Sequence, residues 1–441
     1  MTTDEVAGQG PGEAPATDVT TTNNLWKNRS YRLLLTGATA EDVGAAVGAF
    51  AVPLVAYAVT GSVVQAGVIA FVGQLGSVLM TLPAGVIVDR VDRRRLIMVG
   101  GTIAALAWAG VVVAGLVDGL TITAPHLAAA LFVSSAVGAL MDPAGTAALH
   151  AVVPKGQLGQ AMSVAQGRDA AATLLQGPLG GLLYGMSTVL PFVVSAVGRL
   201  VAVVATSLVR EPLNGDLAAA RAEHPLAALR EGLRYVFHVP LLRTAIWLFM
   251  LVNVVLNGMM VAINLHLVST GTPPLLVGLV NTAVGVGVLA GSVLAGVLVG
   301  RVRVGALTAL ALGVSGLAVV AMAVFPTYWG FIGALTGMML FAPALNAGLI
   351  SYVTAITPGG MQGRMSATMG LTGLVALPTA PLLGSLLLAG VGIGTAMWCF
   401  AAAWAVLFGA VFLVRPLWRI GLPDTWEADA IEWPAATSSA T

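Results

Sequence analysis

The stretch Gly85-Val-Ile-Val-Asp89-Arg90-Val-Asp92-Arg93-Arg94-Arg95 separates two long apolar runs and decides how the chain is arranged. Charges this dense are too costly to place in hydrocarbon, so they must lie in water between two membrane-spanning helices. Short loops rich in Lys and Arg stay on the cytoplasmic side of a membrane. We call residues 85–95 the arginine loop. Its position fixes the expected topology of every other segment.

The composition is that of a polytopic helical membrane protein. Of the 441 residues, 58% are apolar and 9% are charged, whereas a soluble domain is about 25% charged. The apolar residues form about twelve long runs, each of a length suited to a transmembrane helix. The net charge of +1 gives no indication of a nucleic-acid partner. The single cysteine, Cys399, excludes a disulfide framework, and no Cys/His spacing predicts a metal or a cofactor.

The distribution of basic residues predicts the domain layout. With the apolar runs taken as spans, every Lys and Arg falls on one side except Arg168 and Arg199, which lie within spans. Both termini are therefore expected to be cytoplasmic in a multi-pass protein of the cell membrane. The predicted parts are a disordered tail (1–24), an N-terminal six-helix bundle (25–210), a linker with an amphipathic helix (211–240), a C-terminal six-helix bundle (241–416) and a second tail (417–441).

The two halves of the chain repeat one another. Residues 67–90 align with residues 278–301 without a gap, which places Gly67 on Gly278 and Arg90 on Arg301. Asp89 is matched by Gly300, so the second copy of the loop is degenerate. Duplication of this kind predicts two related six-helix bundles with a cavity between them.

The arginine loop resembles the signature loop of the major facilitator superfamily. There the pattern reads roughly Gly-x-x-x-Asp-Arg-x-Gly-Arg-Arg, and here Asp92 stands at the position of the second Gly. The resemblance covers roughly residues 25–415. It implies that family's all-α fold, with two pseudo-symmetric six-helix bundles, and a drug/proton antiporter similar to macrolide efflux pumps and siderophore exporters.

The resemblance also implies an inner gate. In the family the second and eleventh spans meet at the inner face, where Asp89 would accept from amides at the start of the eleventh helix, near Gly363. Arg90 and Arg94 would then pair with Asp142 on the fourth span. The alternative is that the arginines only anchor the topology. The expected gate set is Gly85, Asp89, Arg90, Arg93, Arg94, Asp142 and Gly363.

Glu41 and Asp42 are acids within the first span, about 15 Å below its start at ten residues of helix. An acid at that depth is costly and is a functional candidate by default, here for proton coupling. In the exporters that this chain resembles, an acid often occupies the position of Asp42. The alternative is a purely structural pair with a basic residue on another helix.

Further polar residues predict a transport cavity. Adjacent side chains on a helix diverge, so we expect Asp169 to pair with Arg199 and Arg168 to face the cavity. There Arg168 would contact a substrate or Glu41 and Asp42, and an internal ion-pair network is an equal alternative. Asn253 and Asn257 share one face of the seventh span and are cavity candidates, although interhelical hydrogen bonds are an equal alternative. The residues Gly177, Pro178, Gly180 and Gly181 resemble the fifth-helix antiporter motif, with one residue fewer between its two halves.

These features favour a secondary active exporter that exchanges protons for an apolar or amphipathic small molecule by alternating access. Its expected partners are the substrate, protons and the lipid bilayer, and we expect a monomer. An enzyme is not expected, because no nucleophile, base or metal set appears. Two alternatives remain, a lipid or lysolipid flippase of the same superfamily and a membrane sensor or scaffold that transports nothing.

Overall fold

The structure is a computed structural model that describes residues 25–117, 121–214, 234–358 and 362–429. Within these residues the regular secondary structure is α-helix with short 3-10 turns. Large apolar side chains such as Val293, Leu317 and Leu413 are 78%, 73% and 83% exposed on the outside of the helices. An apolar exterior of this extent is that of a protein solvated by lipid.

The N-terminal bundle consists of six helices. They are α1 (Arg29–Thr60), α2 (Val63–Arg90), α3 (Arg93–Leu116), α4 (Ala124–Val152), α5 (Leu158–Met186) and α6 (Leu190–Ser207). Polar side chains define several of their starts. Asn28, Ser62 and Asp92 each accept a hydrogen bond from a backbone N–H in the first turn of α1, α2 and α3. The arginine loop is therefore the end of α2 and the capped start of α3.

The C-terminal bundle contains two breaks in its helices. Its elements are α7 (Pro240–Ser269), α8 (Pro274–Leu298), α9 (Val304–Val324), α10 (Tyr328–Met339), α11 (Ala342–Ile356), α12 (Gln362–Leu413) and α13 (Arg415–Arg419). Pro343 lies at the start of α11 and separates it from α10. Gly392 has φ 72° and ψ 168°, so α12 is two helices joined at that residue.

The expected number of spans agrees with this architecture. Ten helices of the described residues are long and apolar enough to cross a membrane, with α10 and α11 counted together. Helix α5 is polar for a membrane span, because it carries Arg168 and Asp169. Its 29 residues are nevertheless long enough to cross a membrane, and it adds an eleventh span. The break at Gly392 divides α12 into the eleventh and twelfth spans that the sequence predicts.

The two bundles meet at the end of the molecule opposite the arginine loop. A Cβ atom on Gly177 of α5 would collide with the backbone of Gly278 on α8, and one on Gly181 would lie 2.6 Å from the Pro274 carbonyl oxygen. On the other side, Gly67 of α2 lies against Ser385 of α12. Gly67 and Gly278 are equivalent in the repeat, so the two contacts are related by the internal duplication.

The segments outside the bundles are only partly described. Most of the linker, including most of the expected amphipathic helix, lies outside the described residues, as do residues 1–24. The linker's last part is helical at 234–238, and buried Tyr235 reaches Thr357. The second tail, expected only to be polar, packs on the C-terminal bundle as far as Asp429, where the Trp426 ring contacts Tyr352.

Candidate functional site: a charged cavity in the N-terminal bundle

A cavity of about 500 Å³ lies between α1, α4, α5 and α6. Its wall is largely apolar and includes Leu34, Leu35, Leu149 and Met162. A second cavity, of about 390 Å³, adjoins it toward the opposite end of the bundle. The two cavities share four acidic residues: Glu41, Asp42, Asp142 and Asp169. The acids therefore lie at the junction of the two spaces.

Glu41 forms the more buried ion pair of this cluster. Its Oε1 lies 2.8 Å from Arg199 Nη1, and the two side chains are 17% and 5% exposed. Arg199 also donates to Ser134 Oγ at 3.0 Å, and the same oxygen accepts from Trp108 Nε1 at 3.0 Å. The expected Asp169–Arg199 pair is therefore wrong, because Arg199 points across the bundle to α1 and α4.

Arg168 forms ion pairs with two acids at once. Its Nε lies 2.7 Å from Asp42 Oδ2, and its Nη2 lies 2.8 Å from Asp169 Oδ1. Arg168 does reach the cavity acids, but the expectation that neighbouring Arg and Asp would not pair is wrong. The Arg168 side chain is long enough to fold back onto Asp169, although the two residues leave the helix in different directions.

Asp142 has different surroundings from those expected. Arg94 donates to the Glu211 carbonyl oxygen at 2.9 Å, and the guanidinium groups that line the cavities with Asp142 are those of Arg168 and Arg199. The expected Arg94–Asp142 pair is therefore not formed. Among the described residues, the two cavities hold four carboxyl groups against two guanidinium groups.

The arginine loop instead holds the start of the linker. Arg93 donates through Nη1 to the Leu213 carbonyl oxygen at 3.1 Å, and its backbone N–H donates to Asn214 Oδ1 at 2.9 Å. Asn214 in turn donates to Asp92 Oδ2 at 3.1 Å. The Arg95 backbone N–H donates to Asp92 and holds the pKa of that carboxyl below its usual range. These groups tie α2, α3 and the linker into one unit.

Glu211, which lies in the linker beside these hydrogen bonds, joins the linker to α1. The Ser30 hydroxyl donates to its carboxylate, and that hydrogen bond holds the pKa of Glu211 below its usual range. The first residues of the linker are thus fixed to two parts of the N-terminal bundle.

The expected contact of Asp89 with the start of the eleventh span lies outside the described part of the structure. The Asp89 side chain and the surroundings of Gly363 are not described. The backbone places Asp89 in the last turn of α2 and Gly363 in the first turn of α12. Gly85 lines a cleft between α2 and α4 that also contains Asp142. The gate remains a prediction.

The asparagines of α7 do not reach the two cavities. Asn253 Nδ2 donates to the Phe249 carbonyl oxygen at 2.9 Å, and Asn257 Nδ2 donates to that of Asn253 at 2.8 Å. Both amides thus bond within their own helix. The motif residues Gly177, Gly180 and Gly181 pack against other helices, and Pro178 lies inside α5 without ending it.

Ser134 and Trp108 belong to the site, yet sequence reasoning did not predict their roles. A serine in an apolar run is a common packing residue, and Trp108 is more simply explained as an anchor at the membrane interface. The available signal was the pair Ser134-Ser135 within the otherwise apolar stretch 127–141 of the fourth span.

Two helical bundles with an apolar exterior and a polar, charged interior define a membrane transport protein. The family profile described as Major Facilitator Superfamily matches residues 34–271, more than half of the chain. The protein belongs to the major facilitator superfamily.

Known relatives agree with this assignment. The chain is 29% identical over 364 residues to the multidrug efflux pump Tap of Mycolicibacterium fortuitum, covering 78% of this chain and 86% of that one. The nucleoside transporter NupG has the same fold, with a TM-score of 0.66 at 12% identity, covering 89% of this chain and 100% of that one. So does a bacterial homologue of the iron transporter ferroportin in its inward-facing state, with a TM-score of 0.64 at 17% identity over 88% and 98% of the two chains. The expectation of a transporter rather than an enzyme is confirmed.

Proposed function

We propose that the protein exports apolar or amphipathic small molecules from the cell in exchange for protons. The relative that is named as a multidrug efflux pump supports export, because the two chains align over most of their lengths. In this proposal the arginine loop and both termini are cytoplasmic, since Lys and Arg collect on that side. The contacts between bundles at the opposite end then correspond to an inward-facing conformation.

The observation that supports proton coupling is the surplus of acids over basic groups in the cavities. Four carboxyl groups share a low-dielectric space with two guanidinium groups. An unbalanced carboxylate in such a space is relieved by binding a proton or a cation. A site that gains and loses that proton on opposite sides of the membrane couples proton entry to substrate exit.

Asp42 is the acid best suited to that cycle. Glu41 is tied to Arg199, which is itself held by Ser134, and the two side chains are only 17% and 5% exposed. Asp42 is 33% exposed and shares Arg168 with Asp169. Protonation of Asp42 leaves Arg168 to Asp169 alone, so a single proton rearranges the ion pairs between α1 and α5.

The test uses Glu41→Gln and Asp42→Asn in proteoliposomes, with a substrate chosen from a drug-susceptibility panel in a host without other efflux pumps. We expect Asp42→Asn to abolish uphill transport driven by a pH gradient while counterflow exchange continues. Purified Asp42→Asn should also release fewer protons when substrate binds. Asp424→Asn, in the exposed C-terminal segment, is the matched control and should behave as the wild type.

Uphill transport by both amide variants would contradict coupling through this pair and direct attention to Asp142 and Asp169. Transport that persists after the pH gradient is collapsed would favour a lipid flippase, which needs no proton.

A further inference from the structure

Asp142 is the acid of the cluster without a fixed partner. Glu41 is paired with Arg199, and Asp42 and Asp169 share Arg168. Among the described residues, no side chain donates a hydrogen bond to the Asp142 carboxylate, and the residue is exposed within the cavity. A cationic ligand can therefore approach Asp142 without breaking an existing ion pair.

Asp142 also occupies a central position. It lines both main cavities, the cleft between α2 and α4, and a groove beside Arg93 and His150. A group bound to Asp142 is thus reachable from every one of these spaces.

A second group in the larger cavity lacks a partner. The Tyr31 side chain lines that cavity and is 0% exposed, and its hydroxyl has no hydrogen-bond partner. A buried hydroxyl without a partner lowers stability, because it has lost its hydrogen bonds to water and gained none in return. A small shift of the ring toward a ligand with an acceptor atom would satisfy it.

The rest of the wall sets the character of the ligand. Leu34, Leu35, Leu149, Ala161 and Met162 present apolar surface between Tyr31 and the acids. The volume of about 500 Å³ lies within the range of about 300–1,000 Å³ that is common for drug-sized ligands.

We propose that this cavity binds an amphipathic organic monocation, with its positive charge at Asp142 and a hydrogen-bond acceptor at Tyr31. The proposal rests on the proposed export function for its biological meaning, and it specifies the substrate class. It also assigns different acids to the two ligands, Asp142 to the substrate and Asp42 to the proton.

The test measures equilibrium binding of three probes to purified protein in nanodiscs, without a pH gradient. Rhodamine 6G carries a positive charge and an ester acceptor, tetraphenylphosphonium carries the charge alone, and Nile red is neutral with a carbonyl acceptor. Asp142→Asn should weaken both cations about 10- to 100-fold and leave Nile red unchanged. Tyr31→Phe should weaken rhodamine 6G and Nile red about 2- to 10-fold and leave tetraphenylphosphonium unchanged.

The unaffected probe in each case shows that the variant is folded. Tyr57→Phe, on the same helix but outside the cavity, is the control for a lost hydroxyl. The proposal would be overturned if Asp142→Asn weakened all three probes equally, or if that variant bound both cations as strongly as the wild type. An equal loss of tetraphenylphosphonium in Tyr31→Phe would also overturn it. If the wild-type protein binds the cations as expected but does not couple transport to protons, the cation site stands and only the proposed proton exchange is excluded.

Discussion

Ser134 connects three helices through one buried oxygen. The residue is 8% exposed, and its hydroxyl accepts from Trp108 on α3 and from Arg199 on α6, while Arg199 holds Glu41 on α1. Burying a guanidinium costs free energy, which its ion pair and hydrogen bonds offset. Ser134 therefore helps to fix Arg199 and keeps the Glu41 pair in one arrangement.

We expect Ser134→Ala to lower the melting temperature of the purified protein by several degrees. The substitution leaves two buried donors without an acceptor, at a cost of about 1–3 kcal/mol for each. Differential scanning fluorimetry in detergent measures the change. Ser135→Ala, at the next position and with no hydrogen bond of this kind among the described residues, should melt within about a degree of the wild type. Equal melting of the two variants would show that the network contributes little.

The acids were predicted from the sequence, as was the contact of Arg168 with the Glu41-Asp42 pair, but the partners of Arg199 and Asp169 were not. A charged residue within an apolar run is evident from composition, and Glu41, Asp42 and Arg168 all line the cavity. Which acid pairs with which arginine depends on the rotation of each helix about its axis and on side-chain rotamers. Neither quantity follows from residue spacing, so the Arg199–Glu41 pair replaced the predicted Asp169–Arg199 pair.

At the scale of elements, the contact between α5 and α8 requires glycine. Gly177 and Gly278 bring the two backbones into direct contact, and Gly181 continues the contact toward Pro274. In membranes, helices associate through such close packing, since burial of apolar surface gives no gain against lipid. The resemblance to an antiporter motif thus has a physical counterpart at this interface.

We expect Gly177→Ala to shift the molecule away from the conformation described here. The new methyl group collides with the Gly278 backbone, which cannot move aside as a flexible side chain would. Spin labels at positions 188 and 273, in a background with Cys399 replaced by Ser, report the distance between the ends of α5 and α8. The distance distribution should broaden to longer values. Gly185→Ala, where a Cβ meets nothing within 4 Å, should retain the wild-type distribution.

The linker contacts change the interpretation of the arginine loop. Arg93 and Arg94 donate to carbonyl oxygens of residues 211–213, so at least two arginines of the loop bind backbone rather than an intramembrane acid. Such contacts suit residues that anchor a topology and also fix the segment that joins the bundles. This interpretation agrees with the alternative that the sequence left open for these arginines.

At the scale of the whole molecule, the sequence predicted the two six-helix bundles, the breaks between spans and the family. These features follow from hydropathy, from the internal repeat and from one motif. Each of these is a pattern of many residues, so it can be recognised in the sequence alone. The sequence predicted a cavity between the bundles, whereas the two cavities of the site are lined by the N-terminal bundle. Their position depends on how the helices tilt, which residue spacing does not give. The α7 asparagines illustrate this, since their spacing is suitable but both bond within their own helix.

The gate predicted at Asp89 concerns the movement of the two bundles against each other. By resemblance to the family, we expect its carboxylate to bind the amides at the start of α12 when the arginine-loop end closes, where charge matters more than size. Asp89→Asn should therefore abolish export while the amount of protein in the membrane stays normal, as measured by transport and immunoblotting.

The degenerate second copy provides the matched control, because Gly300 replaces the acid there. Replacing Arg301 and Arg303 with Gln should lower yield more than turnover per molecule. Wild-type export by Asp89→Asn would exclude the gate, and loss of turnover in the double Gln variant would mean that both halves gate alike.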